Sequence, residues 1–193
     1  MEITNEIKEF LIPEKTALLV WDVQNRLVQN IFNTESFLAK NKKIISAARK
    51  SKIPVIFSKI SPLPEKFESP VRKLLFRNRF ASMKDIPNGL DLTIEPIQDD
   101  IVIPKSTASM FIGTNFEQLL RNAGITSIAI TGISTEYGVE STARDASNRG
   151  FLPVIVTDAV SSFNQDGHNR SLENLKNMMI LVNTDELISL WDE

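Results

Sequence analysis

Two charged residues stand where a parallel sheet would present them to a ligand. Asp22 directly follows the apolar run Thr16–Trp21, and Lys105 follows Asp100–Ile103 and a proline. A carboxyl group and an amine at such an edge can bind an anion and pass a proton. A third stretch, Ile125–Gly150, runs from β-branched residues through Thr131-Gly132-Ile133-Ser134-Thr135 into a pattern with Val139, Ala143 and Ala146 at helical spacing. A helix beginning at that turn offers N–H groups and the positive end of its dipole, which suit a carboxylate or a developing oxyanion. Each feature also has a plain structural explanation: a turn-forming aspartate, a solvated lysine, an ordinary strand-to-helix connection.

Composition narrows the chemistry. Cysteine is absent from the 193 residues, which removes disulfides, thiolate metal sites and a cysteine nucleophile. His168 is the one histidine. It cannot build a histidine-rich metal site, and with no G-x-S-x-G elbow in the chain it reads as a helix-surface or packing residue. There is no G-x-G-x-x-G after the first strand, no phosphate-binding P-loop and no recognisable carboxylate cluster, so no cofactor and no metal are expected. A net charge of -2 argues against nucleic acid as the main partner. No run approaches the roughly 20 apolar residues of a membrane span, and the cytoplasm is the expected location.

The elements that must position these groups alternate along the chain. Strands are expected at Thr16–Trp21, Pro54–Ile60, Asp100–Ile103, Ile125–Ile130, Leu152–Val156 and Ile180–Val182. Pro104 is expected to stop the third, leaving Lys105 just beyond its end. Helical patterns occupy Glu35–Ser51, the segment carrying Phe111, Phe116, Leu119 and Leu120 before Gly124, the stretch after Ser134, the segment after Asp166 and Gly167 with Leu172, Leu175 and Met178, and the end of the chain near Trp191. Ser61–Asp99 is irregular and proline-rich, with a short helix near Val71–Phe76; its Lys66, Arg72, Lys73, Arg77 and Arg79 suit a lid bringing a cation to an anionic substrate. Six strands alternating with helices predict one domain over residues 1–193: an α/β chain folded as a three-layer α/β/α sandwich on a six-stranded parallel Rossmann-like sheet.

Three motifs in register resemble the isochorismatase-like hydrolases, the superfamily that includes nicotinamidases and N-carbamoylsarcosine amidohydrolases. They are Ala17-Leu18-Leu19-Val20-Trp21-Asp22-Val23-Gln24, Pro104-Lys105-Ser106-x-x-Ser109-x-Phe111-x-Gly113-Thr114, and Thr131-Gly132-Ile133-Ser134-Thr135-Glu136-Tyr137-Gly138-Val139 continuing into Thr142-Ala143-Arg144-Asp145-Ala146. The likeness runs from about Thr16 to Met179 and implies the isochorismatase-like hydrolase fold. It implies that Asp22 and Lys105 are catalytic, that Gly138 stands at the position of the nucleophilic cysteine, and that Gln24, Ser134 and Tyr137 contact substrate. It also implies a cis peptide between Ile133 and Ser134, directing the N–H groups of Ser134 and Gly138 into an oxyanion hole, and a homo-oligomer.

Two departures shape the expected function. With glycine at position 138 the thioester route of the amidases is closed, and where nicotinamidases carry a metal-binding Asp-x-His this chain reads Ser58-Lys59-Ile60-Ser61. Isochorismatases proper also lack the nucleophile; they hydrolyse a vinyl ether by protonating the enol carbon and adding water. The resemblance therefore implies a small-molecule hydrolase acting on an isochorismate-like enol ether. Two alternatives stand beside it: an amidohydrolase using the hydroxyl of Ser134, Thr135 or Tyr137, and a catalytically silent member that binds a small carboxylate or serves in an assembly. In all three the partner is a small carboxylate or amide or another copy of the chain. An ammonium beside Asp22 would lower its pKa while burial would raise it, and the sequence leaves that balance open.

Overall fold

A strand covered by helices on both faces can be apolar at every position, without the alternation of a half-exposed strand. The first strand, β1 (Thr16–Trp21), is buried at all six positions. In the computed structural model, which describes residues 3–74 and 86–192, β1 lies inside a sheet with β2 (Val55–Ile60), β3 (Ile101–Lys105), β4 (Ser127–Ile133), β5 (Leu152–Ser161) and β6 (Ile180–Val182). The strand order is β3-β2-β1-β4-β5-β6 and every pairing is parallel. The covering helices are α1 (Thr34–Lys50), α2 (Phe116–Asn122), α3 (Glu140–Asn148), α4 (Gln165–Leu175) and α5 (Thr184–Trp191). The α/β/α sandwich expected from the sequence is the observed fold.

Period-two geometry decides which core each residue of β1 enters. Leu18 and Val20 pack with Phe37, Ile44 and Ile45 of α1 and Leu187 of α5. Ala17, Leu19 and Trp21 point the other way, among Phe116 and Leu120 of α2, Ala143 and Ala146 of α3 and Leu175 of α4. The order of strands reverses between β1 and β4, so a crevice opens beyond their C-terminal ends, the usual ligand position in an open α/β sheet.

Several boundaries differ from the sequence reading. Pro104 and Lys105 lie within β3, paired with Lys59 and Ile60. Proline is tolerated there because β3 is the outermost strand, whose free edge needs no donor. The segment Thr131-Gly132-Ile133, expected in a turn, continues β4. Gly132 (φ +113°) is needed for close approach: a Cβ there would stand 2.0 Å from the carbonyl oxygen of Trp21. β5 likewise runs on to Ser161, because a shift of register between Ile130 and Gly132 lets Val160 and Ser161 pair with Gly132 and Ile133. Phe111 precedes α2, and Met178 lies beyond α4. Asp166 and Gly167 belong to the first turn of α4, where the Asn164 side chain accepts from both of their N–H groups. Of the helix expected near Val71–Phe76, residues 70–74 are helical; Leu75 and Phe76, with Arg77 and Arg79, lie outside the described residues. Among the described residues no helix is long and apolar enough to cross a membrane.

Candidate active site

β1 ends by turning Asp22 out of the sheet at φ +45°, in the left-handed region that costs a non-glycine residue about 1–3 kcal/mol. Its neighbour across the sheet holds it there. Val20 is level with Phe57, so the next residue of β2, Ser58, reaches the end of β1. The Asp22 N–H donates to Ser58 Oγ at 2.9 Å, and the Ser58 hydroxyl donates to Asp22 Oδ1 at 2.5 Å.

The other carboxylate oxygen belongs to Lys105. As the last residue of β3 it reaches across the end of β2 and sets Nζ 2.6 Å from Asp22 Oδ2, with both side chains 3% exposed. The same ammonium donates to the Thr107 carbonyl oxygen at 3.1 Å and lies 4.1 Å from the centre of the Trp21 ring. Burial raises the Asp22 carboxyl above its ordinary pKa, outweighing the opposing pull of Lys105 and Ser58. Burial also lowers the Lys105 ammonium against the pull of Asp22, with Arg72 adding to the lowering. Desolvation thus outweighs the attraction between the two groups, raising one pKa and lowering the other.

A pH-dependent stability follows. Lys105→Met removes the ammonium that favours the Asp22 carboxylate by charge, and such a broken buried pair costs about 3–5 kcal/mol. Asp22 then has a folded-state pKa raised further above its unfolded value. The stability associated with its neutral form is complete below the unfolded pKa and is lost as pH rises through the folded one. The deficit of Lys105→Met relative to wild type, read by urea unfolding, is expected to be small near pH 4 and to widen toward pH 8. A deficit independent of pH would count against this electrostatic account.

The third strand-end comes from β4. Its last residue is joined to Ser134 by a cis peptide, as the family resemblance implied, and a π-helical turn, Thr135–Val139, leads into α3. Ser134 is 6% exposed and lines the crevice. Thr135 is turned away from it: its hydroxyl donates to the Ser161 carbonyl at 3.1 Å and lies 2.8 Å from His168 Nδ1. His168 is buried, its pKa is lowered by that burial, and Phe32 meets its ring edge-on at 5.2 Å. It is a packing residue, as its position in the sequence suggested.

Gly138 closes the far wall and leaves no room for a side chain. A Cβ at this position would lie 1.9 Å from Trp21 Nε1 and 2.2 Å from Trp21 Cε2, so the indole occupies the space where any side chain of residue 138 would begin. Trp21 reaches this place because its position in β1 directs it to the α3 side of the sheet.

Together these groups border a cavity of about 310 Å³. Trp21, Asp22, Lys105, Ser134, Tyr137 and Gly138 line it, Leu27, Pro62, Leu90 and Phe163 add apolar wall, and among the described residues Arg26, Glu68, Arg72 and Lys73 are its other charged groups. Among the described residues, four basic side chains against two acidic ones give the lining a positive bias. Arg72 and Lys73 come from the proline-rich segment expected to supply cations. Gln24 has a different setting: its Nε2 donates to the Leu90 carbonyl at 2.5 Å and its Oε1 accepts from the Ile60 N–H at 2.9 Å. Its amide joins Leu90, in the proline-rich segment, to the end of β2 and braces the wall. The sequence reading did not single out Ser58 or Trp21 as site residues. The signal for Ser58 was a lone hydroxyl ending the buried run of β2; for Trp21 it was a bulky indole directly before the aspartate.

A crevice at the switch point of a 3-2-1-4-5-6 sheet defines the class, a doubly wound α/β protein with a ligand site at its strand ends. The isochorismatase domain model matches residues 16–186, and the chain belongs to that family. It is 28% identical over 192 residues to the isochorismatase family protein YrdC of Bacillus subtilis (strain 168), covering 91% of this chain and 96% of that one. It is 32% identical over 173 residues to the ureidoacrylate amidohydrolase RutB of Pantoea ananatis (strain LMG 20103), covering 76% and 69%. Its fold matches the crystal structure of a cysteine hydrolase from Pseudomonas syringae pv. phaseolicola 1448A with a TM-score of 0.82 at 21% identity, over 92% of each chain.

Proposed function

We propose that this chain hydrolyses a small carboxylate-bearing enol ether, an isochorismate-like compound, without forming a covalent intermediate. The observation that carries this reading is the buried Asp22–Lys105 pair, 2.6 Å apart, bordering a positively biased cavity. Burial raises the Asp22 pKa above the ordinary carboxylate value, which favours the protonated form a general acid needs. The proton passes to the terminal enol carbon, leaving an oxocarbenium ion. Water adds to that cation, and the resulting hemiketal breaks the bond between its carbon and the ring oxygen as the hydroxyl proton passes to that oxygen, so that pyruvate leaves with the ring alcohol. The proton shed by the attacking water returns to the Asp22 carboxylate. Lys105, aided by Arg72 and Lys73, holds the substrate carboxylates. Gly138 stands at the position the family gives to a nucleophile, and the indole packed against it leaves that step without a reacting atom.

Pyruvate release from isochorismate tests the reading directly. With Asp22 as the acid, kcat/KM falls as pH rises through its pKa, so the basic limb lies above the ordinary carboxylate value of about 4. A rate that instead increases with pH through this range would make Asp22 an anion that activates water.

An amide substrate is the second reading, favoured by the similarity to the ureidoacrylate amidohydrolase. It places the nucleophile on a hydroxyl-bearing residue that lines the cavity, Ser134 or Tyr137, which Thr135 does not. An acyl adduct on Ser134 or Tyr137, found by mass spectrometry after incubation with an activated amide, would establish it in place of the first.

A further inference from the structure

The indole of Trp21 is in an unusual place for a strand residue. Its neighbours on the same face of β1, Ala17 and Leu19, are sealed in the core between sheet and helices. Trp21, at the strand end, lines the crevice instead, with the pyrrole edge of its indole against Gly138. Nε1 lies 1.9 Å from the point where a Cβ of Gly138 would stand, with Cε2 at 2.2 Å and Cζ2 at 2.4 Å. Both Trp21 and Gly138 line the cavity, and the ring face of the same indole lies 4.1 Å from the Lys105 ammonium. One side chain therefore seats the cation on its face and brings a hydrogen-bond donor to the wall where the helix begins. An indole N–H can only donate, and in an apolar enclosure it requires an oxygen acceptor.

We propose that Trp21 is a substrate-binding residue whose indole N–H donates to a carboxylate or ether oxygen of a ligand held in the cavity beside Gly138. This rests on the cavity being the binding site for a small carboxylate, as the functional reading holds, but not on the bond that is broken. The geometry also makes the residue a determinant of specificity. The ligand must present an oxygen to the indole edge while an anionic group meets Lys105, which favours oxygen-rich carboxylates over neutral compounds of the same shape.

The test uses the full chain and a carboxylate that cannot be hydrolysed. Trp191 is the other tryptophan and lies in α5 on the opposite face of the sheet, so Trp191→Phe leaves Trp21 as the single indole. In a ¹⁵N-labelled sample its N–H cross-peak is expected to move downfield, saturably, on titration with benzoate and to stay in place with benzyl alcohol. Trp21→Phe, which keeps an aromatic ring and removes the donor, is expected to weaken benzoate binding by about tenfold or more in calorimetry, the loss of a hydrogen bond to a charged group. An unmoved cross-peak in a sample that binds benzoate, undiminished binding by Trp21→Phe, or no benzoate binding by the wild type would each overturn the proposal. Should Trp21→Phe fold poorly, the cross-peak decides alone. The two readings separate cleanly. A moved cross-peak without pyruvate release from isochorismate removes the enol-ether chemistry and keeps Trp21, and pyruvate release with an unmoved cross-peak does the reverse.

Discussion

Asp22→Asn is expected to lower pyruvate release from isochorismate by about 10²–10⁴-fold, the usual contribution of a positioned general acid. The substitution preserves shape, and the side-chain oxygen can still accept from Ser58, which meets Oδ1 at 2.5 Å in the wild type. What it removes is the titrating proton. The loss should therefore fall on kcat, with KM for the substrate changing less, because the cations that hold the substrate remain in place. The basic limb of the pH profile should vanish with it. Melting temperature serves as the control, since the amide also exchanges a carboxylate for a dipole beside the Lys105 ammonium. Release equal to that of wild type would remove Asp22 as proton donor and with it the proposed reaction.

Gly138→Cys is expected to destabilise the fold and not to create an amidase. A Cβ would enter the space held by the Trp21 indole, and overpacking of this kind costs about 1–3 kcal/mol, occasionally more. For a chain of this size each kcal/mol lowers Tm by roughly 2–4 °C. Moving the indole aside would also disturb its contact with the Lys105 ammonium, 4.1 Å from the ring centre. Trp21→Val alone should also destabilise, by opening a cavity of the opposite sense. The two changes together relieve each other: the double variant is expected to be more stable than the sum of the single effects predicts, with a coupling of about 0.5–3 kcal/mol. Thermal unfolding of the four proteins measures it. Additive effects would mean that the indole moves aside freely. Only the double variant is a fair test of whether a thiol at position 138 can form an acyl intermediate.

These two expectations draw on different parts of the molecule's legibility. The alternation of apolar strands and helices was readable because burial on both faces demands runs such as Thr16–Trp21, and because helical spacing separates α1 and α5 from them. Asp22 and Lys105 were readable as candidates because parallel sheets gather their strand ends at one edge. Boundaries were less so. Pro104 halts a ladder only where its missing N–H is needed, and the sequence does not say that β3 is an edge strand. Gly132 suggested a turn and instead permits close strand approach, a requirement set by the carbonyl of Trp21.

What the sequence by itself determined was the inventory: one aspartate and one lysine at strand ends, a glycine at the head of a helix, no thiol anywhere in the chain. The tertiary structure decided what these groups do to one another. The Ser58 hydroxyl takes one oxygen of Asp22 and the ammonium of Lys105 the other, across 36 and 83 residues of chain. Desolvation outweighs their attraction in setting the Asp22 pKa, a result of how deeply the pair is buried, which no local pattern encodes. The indole of Trp21 likewise fills the side-chain space of Gly138 only because the pleat of β1 aims it there. Local sequence specifies which residues lie on which face, but distance and solvent exclusion between remote segments exist only once the chain has closed on itself.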